Sequence, residues 1–378
     1  MIKVIAVCAL LAATTGVTMA QNAGPSVTPY GLAQYRLRLQ MHTQTPDSGS
    51  DRTAMDYANQ LSFYFGAKIK VNDQVTMQFQ GGNDWVTTEG VGLTTNNWWL
   101  SKGNFPYFHL AYAKYDAGIF FITIGQQPIA SNGPLDLIER SLRNPANTMS
   151  YTGAGLVSWV VGTNNTMAGI KVGAPLVKGD FKLGAELFST VITPRTQTAA
   201  EEPTSNPPAT MWVLDFPISI AALTFTPQVI GILYRNYNAT TEKGDHEIGA
   251  GLSASYKVMD GVAVNACGGF AQISNTNSRT AADVLDNHRG IIAGIGGSYK
   301  AGPGAAIVDF KFSNDGNTED DSTMSSYIYV DAKYGWDINK NFQIMPRIRF
   351  FLTSYADNNA SLDSKQEIRP ELLITGKF

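Results

Sequence analysis

The side chains with the clearest chemical potential are guanidiniums set two residues apart. Arg36 and Arg38 form one such pair, Arg347 and Arg349 a second, and Arg369 stands near the C-terminal end. A guanidinium stays charged and presents a planar fork of donors, so these groups hold or steer anions rather than transfer protons. A mixed set of charges, Asp136, Glu139, Arg140 and Arg143, shares one short stretch. Groups for acid–base or nucleophilic work are sparse. The four histidines, His42, His109, His246 and His288, are not spaced as a metal pair, and no nucleophile elbow occurs. Gly294, Gly296 and Gly297 lie in an alternating segment with no helix after it, which argues against a dinucleotide loop. Asp315 to Glu319 has a faint calcium-loop character but lacks the twelve-residue pattern, and reads as a solvated loop. The residues imply no cofactor and no metal. A formal net charge of -3 argues against a nucleic-acid partner.

The elements that must position these groups alternate with period two. In 35–41 the odd positions are apolar and the even ones polar. Leu61, Phe63, Phe65, Ala67 and Ile69 alternate with Ser62, Tyr64, Gly66, Lys68 and Lys70. Val75, Met77 and Phe79 alternate with Thr76, Gln78 and Gln80. Such segments, separated by turn residues, mark a sheet with one face in lipid and the other in water. Strands are expected near 30–42, 57–70, 74–82, 106–115, 119–126, 165–175, 181–191 and 211–220. Eight more are expected near 223–237, 247–258, 262–274, 290–299, 305–314, 324–334, 342–355 and 365–378. The connections alternate between short turns and long loops, and the third loop, 127–164, is the longest. Residues 156–161 read as a strand by themselves but are assigned to that loop, because a further strand breaks the alternation. The fold class is therefore all-β: a transmembrane antiparallel β-barrel of 16 strands with short periplasmic turns and long extracellular loops.

Composition agrees. Only 16% of residues are charged, below the roughly 25% usual for globular domains, and 36 glycines accompany 18 Phe, 16 Tyr and 6 Trp. Residues 1–20 read as a signal peptide, with Lys3 before an apolar core and small residues ahead of a cleavage point after Ala20. The remaining 21–378 read as a single barrel domain with one cysteine, Cys267, and hence no internal disulfide. Cys267 falls on a lumen-facing position by phase and has no activating partner, so an inert thiol is expected.

The phase also assigns directions. With Leu37, Leu39, Ile348 and Phe350 in lipid, Arg36, Arg38, Arg347 and Arg349 face the lumen. Arg369, Lys68 and Lys70 face inward by the same argument. A cation on the lipid face at mid-depth costs roughly 2–4 kcal/mol, so the inward choice dominates. The first and last strands adjoin in a closed barrel, which places the five arginines on one wall.

The final strand alternates and ends on Phe378, and it resembles the assembly signal of Gram-negative outer-membrane barrels. In size, strand count and terminal Phe the mature chain resembles the sixteen-stranded general porins. That resemblance implies a passive channel for small hydrophilic solutes and ions, a homotrimer, and handling by the barrel-assembly machinery. It also implies a third loop folded into the pore, with Asp136 and Glu139 facing a basic wall across a constriction; the helix-like stretch Leu135–Leu142 places Arg140 and Arg143 in the pore too. No short motif fixes that loop's register against the family. Acidic loop residues suit divalent bridges to lipopolysaccharide in the surrounding outer-membrane lipid. Trp85, Trp98, Trp99, Phe105 and Tyr107 read as an interfacial girdle, or else as a sugar-guiding track. A solute-specific channel for anions, phosphate or sugars, a barrel hydrolase, and a soluble exported β-protein are the competing readings.

Overall fold

The computed structural model describes residues 24–45, 49–89, 107–128, 166–178, 181–192, 209–233, 246–274, 288–317, 325–354 and 364–377. Among these the chain forms seventeen β segments. The first half comprises β1 (Ser26–Thr45), β2 (Arg52–Lys70), β3 (Val75–Glu89), β4 (Tyr107–Asp116), β5 (Phe121–Pro128), β6 (Thr166–Lys178), β7 (Phe181–Ile192), β8 (Ala209–Asp215) and β9 (Ile218–Ile220). The second comprises β10 (Leu223–Leu233), β11 (His246–Met259), β12 (Val262–Ser274), β13 (His288–Ala301), β14 (Gly304–Asn317), β15 (Ser325–Asn339), β16 (Phe342–Ser354) and β17 (Ser364–Lys377).

Sequential neighbours pair antiparallel around the sheet, and β17 pairs back onto β1 from Leu32↔Lys377 to Thr45↔Ser364. The two short segments β8 and β9 both lie between β7 and β10, so they are halves of one barrel strand. Proline has no N–H to give to a ladder, and the break falls at Phe216-Pro217. The carbonyl of Pro217 still accepts from Gly184 N at 2.7 Å, and Phe216 N donates to Pro227 O at 3.0 Å, so the sheet stays continuous. The result is a closed barrel of sixteen strands. Closure is what a membrane demands, because hydrocarbon offers no partner to an open edge.

Side chains alternate across the wall as period two requires. Leu37, Ile348 and Ile368 are 40%, 50% and 39% exposed, whereas Arg36, Arg349 and Arg369 are 8%, 8% and 1% exposed. The exposed apolar residues form the outer face. Tyr256, Tyr299, Trp336 and Phe342 lie on it within a few residues of the short turns, where amphipathic rings settle at an interface. The expected girdle near the second long loop falls largely outside the described residues, and this ring stands on the turn side.

The short turns are tight. Gly118, Gly261 and Gly302 take left-handed backbone, with φ of 84°, 79° and 58°. Ala221 takes the same region at φ 50° without glycine's freedom. Several strands outrun the expected ranges: β1 begins at Ser26, β2 at Arg52, and β3 continues to Glu89. Where a strand leaves the hydrocarbon both faces are wet, so no alternation marks its end. Strand β5 runs on to Pro128, so it takes in the first two residues of the expected third loop; the rest of that loop, residues 156–161 included, the first twenty residues and Phe378 lie outside the described residues.

Candidate functional site: a charged patch on the inner wall

Three adjacent strands, β16, β17 and β1, bring the five arginines together. The register sets Arg347 opposite Glu371 and Arg349 opposite Arg369 across β16 and β17. It sets Arg38 opposite Glu371 and Arg36 opposite Leu373 across β1 and β17. On the flanks, Asp331 and Lys333 of β15 face Arg349 and Arg347, and Gln60 of β2 faces Arg36. All of these project inward, because their neighbours on each strand form the lipid face.

The contacts are specific. Arg347 forks onto Asp331, with Nε and Nη2 donating to Oδ1 and Oδ2 at 2.7 Å each. Its Nη2 also donates to Tyr329 Oη at 3.2 Å. Arg38 Nε donates to Glu371 Oε1 at 2.7 Å, and Arg349 Nη2 reaches the same oxygen. Arg347 Nη1 lies 3.8 Å from Glu371 Oε2. Arg36 Nε donates to Gln60 Oε1 at 2.7 Å, and Arg369 pairs with Glu367. Aromatic rings support the guanidiniums from beneath. Arg369 lies 4.5 Å and Arg349 5.7 Å from the Phe351 ring centroid. Tyr329 packs against Phe351 at 5.0 Å.

Three carboxylates therefore share the wall that the sequence marks as basic. Asp331, Glu367 and Glu371 interleave with Arg36, Arg38, Arg347, Arg349 and Arg369, and the balance on the patch stays positive. Parity could have found them, since Glu367 and Glu371 are in phase with Arg369, and Asp331 alternates with Val330 and Ala332.

The two inward lysines stand apart. Lys68 Nζ lies 6.0 Å from the Tyr30 ring centroid. Lys70 pairs with Asp73 at 2.6 Å beside the first short turn. Asp136, Glu139, Arg140 and Arg143 lie outside the described residues.

A smaller polar cluster occupies the far side of the barrel. Lys171 of β6 pairs with Glu186 of β7 at 3.7 Å, and Glu186 faces Asp215 of β8 in register. Asp215 accepts from Gln228 Nε2 at 2.5 Å. Cys267 faces Ser253 and Gly294, with its sulfur in the space that a Cβ on Gly294 would take. Gly294 and Gly296 leave room for Lys311, Asp309 and Asn265 on the inner face. Among the described residues no cluster of three or more His, Cys, Asp or Glu could hold a metal.

Comparison with solved structures places this architecture. The outer membrane channel DcaP of Acinetobacter baumannii superposes with a TM-score of 0.59 at 12% identity, covering 95% of this chain and 99% of that one. OmpF of Salmonella typhi, solved with daunomycin, gives 0.56 at 14% identity, with 94% and 98% covered. An anion-selective porin from Comamonas acidovorans gives 0.55 at 11% identity, with 94% and 100% covered. No protein-family model and no curated protein sequence matches the chain. The fold is thus that of the porins. With an apolar exterior around a charged interior, the chain is a transmembrane β-barrel.

Proposed function

We propose that the barrel is a water-filled pore for passive diffusion of small hydrophilic solutes and ions. The observation that carries this reading is the inward wall of Arg36, Arg38, Arg347, Arg349 and Arg369. Fixed guanidiniums along a wet passage set which ions enter it. In this reading Asp136 and Glu139 of the third loop form the opposing side of a constriction, with Arg140 and Arg143 beside them, and Lys68 and Lys70 line the lumen below. The chain is exported, cut after Ala20, delivered through its Phe378 strand to the assembly machinery, and assembled as a homotrimer in lipopolysaccharide-bearing membrane. It performs no catalysis.

Liposome swelling tests the channel reading. Proteoliposomes should admit neutral sugars at rates that fall smoothly with solute size and rise linearly with concentration. Vesicles that stay impermeable to every small sugar would overturn it. The packing of Arg349 and Arg369 on the Phe351 ring, which holds the guanidiniums in place, favours a second reading, a channel selective for one solute class. Saturable block of ion current by that class would select it.

A further inference from the structure

Glu371 is the hub of the arginine wall. Its side chain is 0% exposed, and guanidiniums from two neighbouring strands converge on it. Arg38 of β1 and Arg349 of β16 both donate to Oε1. Oε2 makes no hydrogen bond among the described residues and lies 3.8 Å from Arg347 Nη1. Asp331 differs, because it is served by one arginine fork and by Lys333 at 3.4 Å.

We propose that Glu371 is a tethered counter-ion that occupies an anion-binding nest built by Arg38, Arg347 and Arg349, and so sets the selectivity of the pore. The inference rests on the channel reading and deepens it. A planar fork of guanidinium donors matches the two oxygens of a carboxylate. Glu371 supplies that carboxylate from the wall itself. A short tether gives it an effective concentration on the order of millimolar, so a solute anion must exceed that level to displace it. With Glu371 in place the three arginines attract anions without holding them, and ions pass without saturation. Neutralising it leaves Arg38 and Arg349 uncompensated on the passage, beside an Arg347 still forked onto Asp331, and opens the nest to a solute carboxylate.

The test is planar-bilayer recording of the full-length mature protein, with acetate as the probe. Glu371→Gln keeps volume and one acceptor oxygen. Its reversal potential in a salt gradient should move toward anions, with the anion-to-cation permeability ratio rising roughly twofold or more. Acetate should then block chloride current saturably, which it should not do in the parent. Glu371→Asp keeps the charge but shortens the reach, and should fall between the two. Heat-modifiable mobility on gels establishes that each variant is folded. Asp260→Asn is the control, since Asp260 lies in an exposed turn beside Lys257 at 2.6 Å. A folded, conducting Glu371→Gln or Glu371→Asp with parental selectivity and no acetate block overturns the proposal. An equal shift in Asp260→Asn does the same. A parent protein that conducts no ions at all counts against the channel reading instead.

Discussion

Arg347 is held by several partners on the inner wall. It forks onto Asp331, touches Tyr329 and stands near Glu371, with its side chain 17% exposed and that of Asp331 only 3%. Removing one partner leaves the other desolvated. Arg347→Ala should therefore lower stability to urea by about 2–3 kcal/mol. Asp331→Ala alone should cost a similar amount. The double variant should lose less than the sum, by a coupling of roughly 0.5–3 kcal/mol, as read from equilibrium unfolding in detergent or bilayers. Strict additivity would show that the fork is not formed. The arginines were legible in the sequence because a fixed charge between lipid-facing residues has one affordable direction. Glu367 and Glu371 obey the same parity, yet a carboxylate draws attention only once its register against Arg38 and Arg349 is known. The pairing with Arg38 joins residues more than three hundred positions apart, which no local pattern reports.

The strands carry the alternation on which every inward assignment depends. Ile348 and Gln343 lie on the same strand with opposite phase, and Gln343 donates to Asp337 at 2.7 Å on the wet side. Ile348→Lys should cost about 2–4 kcal/mol of folding into a bilayer, while Gln343→Lys should cost close to nothing. Equal costs would mean that the faces are misassigned. Turns make a separate demand. Ala221 holds φ at 50°, a region that penalises a Cβ by roughly 1–2 kcal/mol. Ala221→Gly should raise stability by up to about 1 kcal/mol, and a loss would show that the turn relaxes in the membrane. The centres of the strands were readable because lipid and water there impose contrast. Their ends were not, as the start of β1 at Ser26 illustrates, where successive residues are exposed on both faces. The interruption at Phe216-Pro217 was equally silent: Pro217 fits the alternating pattern while removing a donor from the ladder.

At the level of the molecule, closure converts a linear pattern into a pore with distinguishable walls. Counted around the barrel, the strand that contains β8 lies half a turn from β17. The Glu186 and Asp215 pair therefore faces the arginine patch across the lumen. The outer face is apolar around the barrel, which suits both lipid and subunit contacts. Light scattering on detergent-extracted protein should give a mass of three chains per particle, and a monomer would remove the trimer from the account. The central claim is that the inward arginines of β16 govern which ions cross. Reversal potential across a planar bilayer in a salt gradient tests it most directly, in the parent and in Arg347→Ala/Arg349→Ala. The account predicts an anion-leaning potential in the parent that moves toward cations in the double variant. A folded double variant with the parental potential would contradict it.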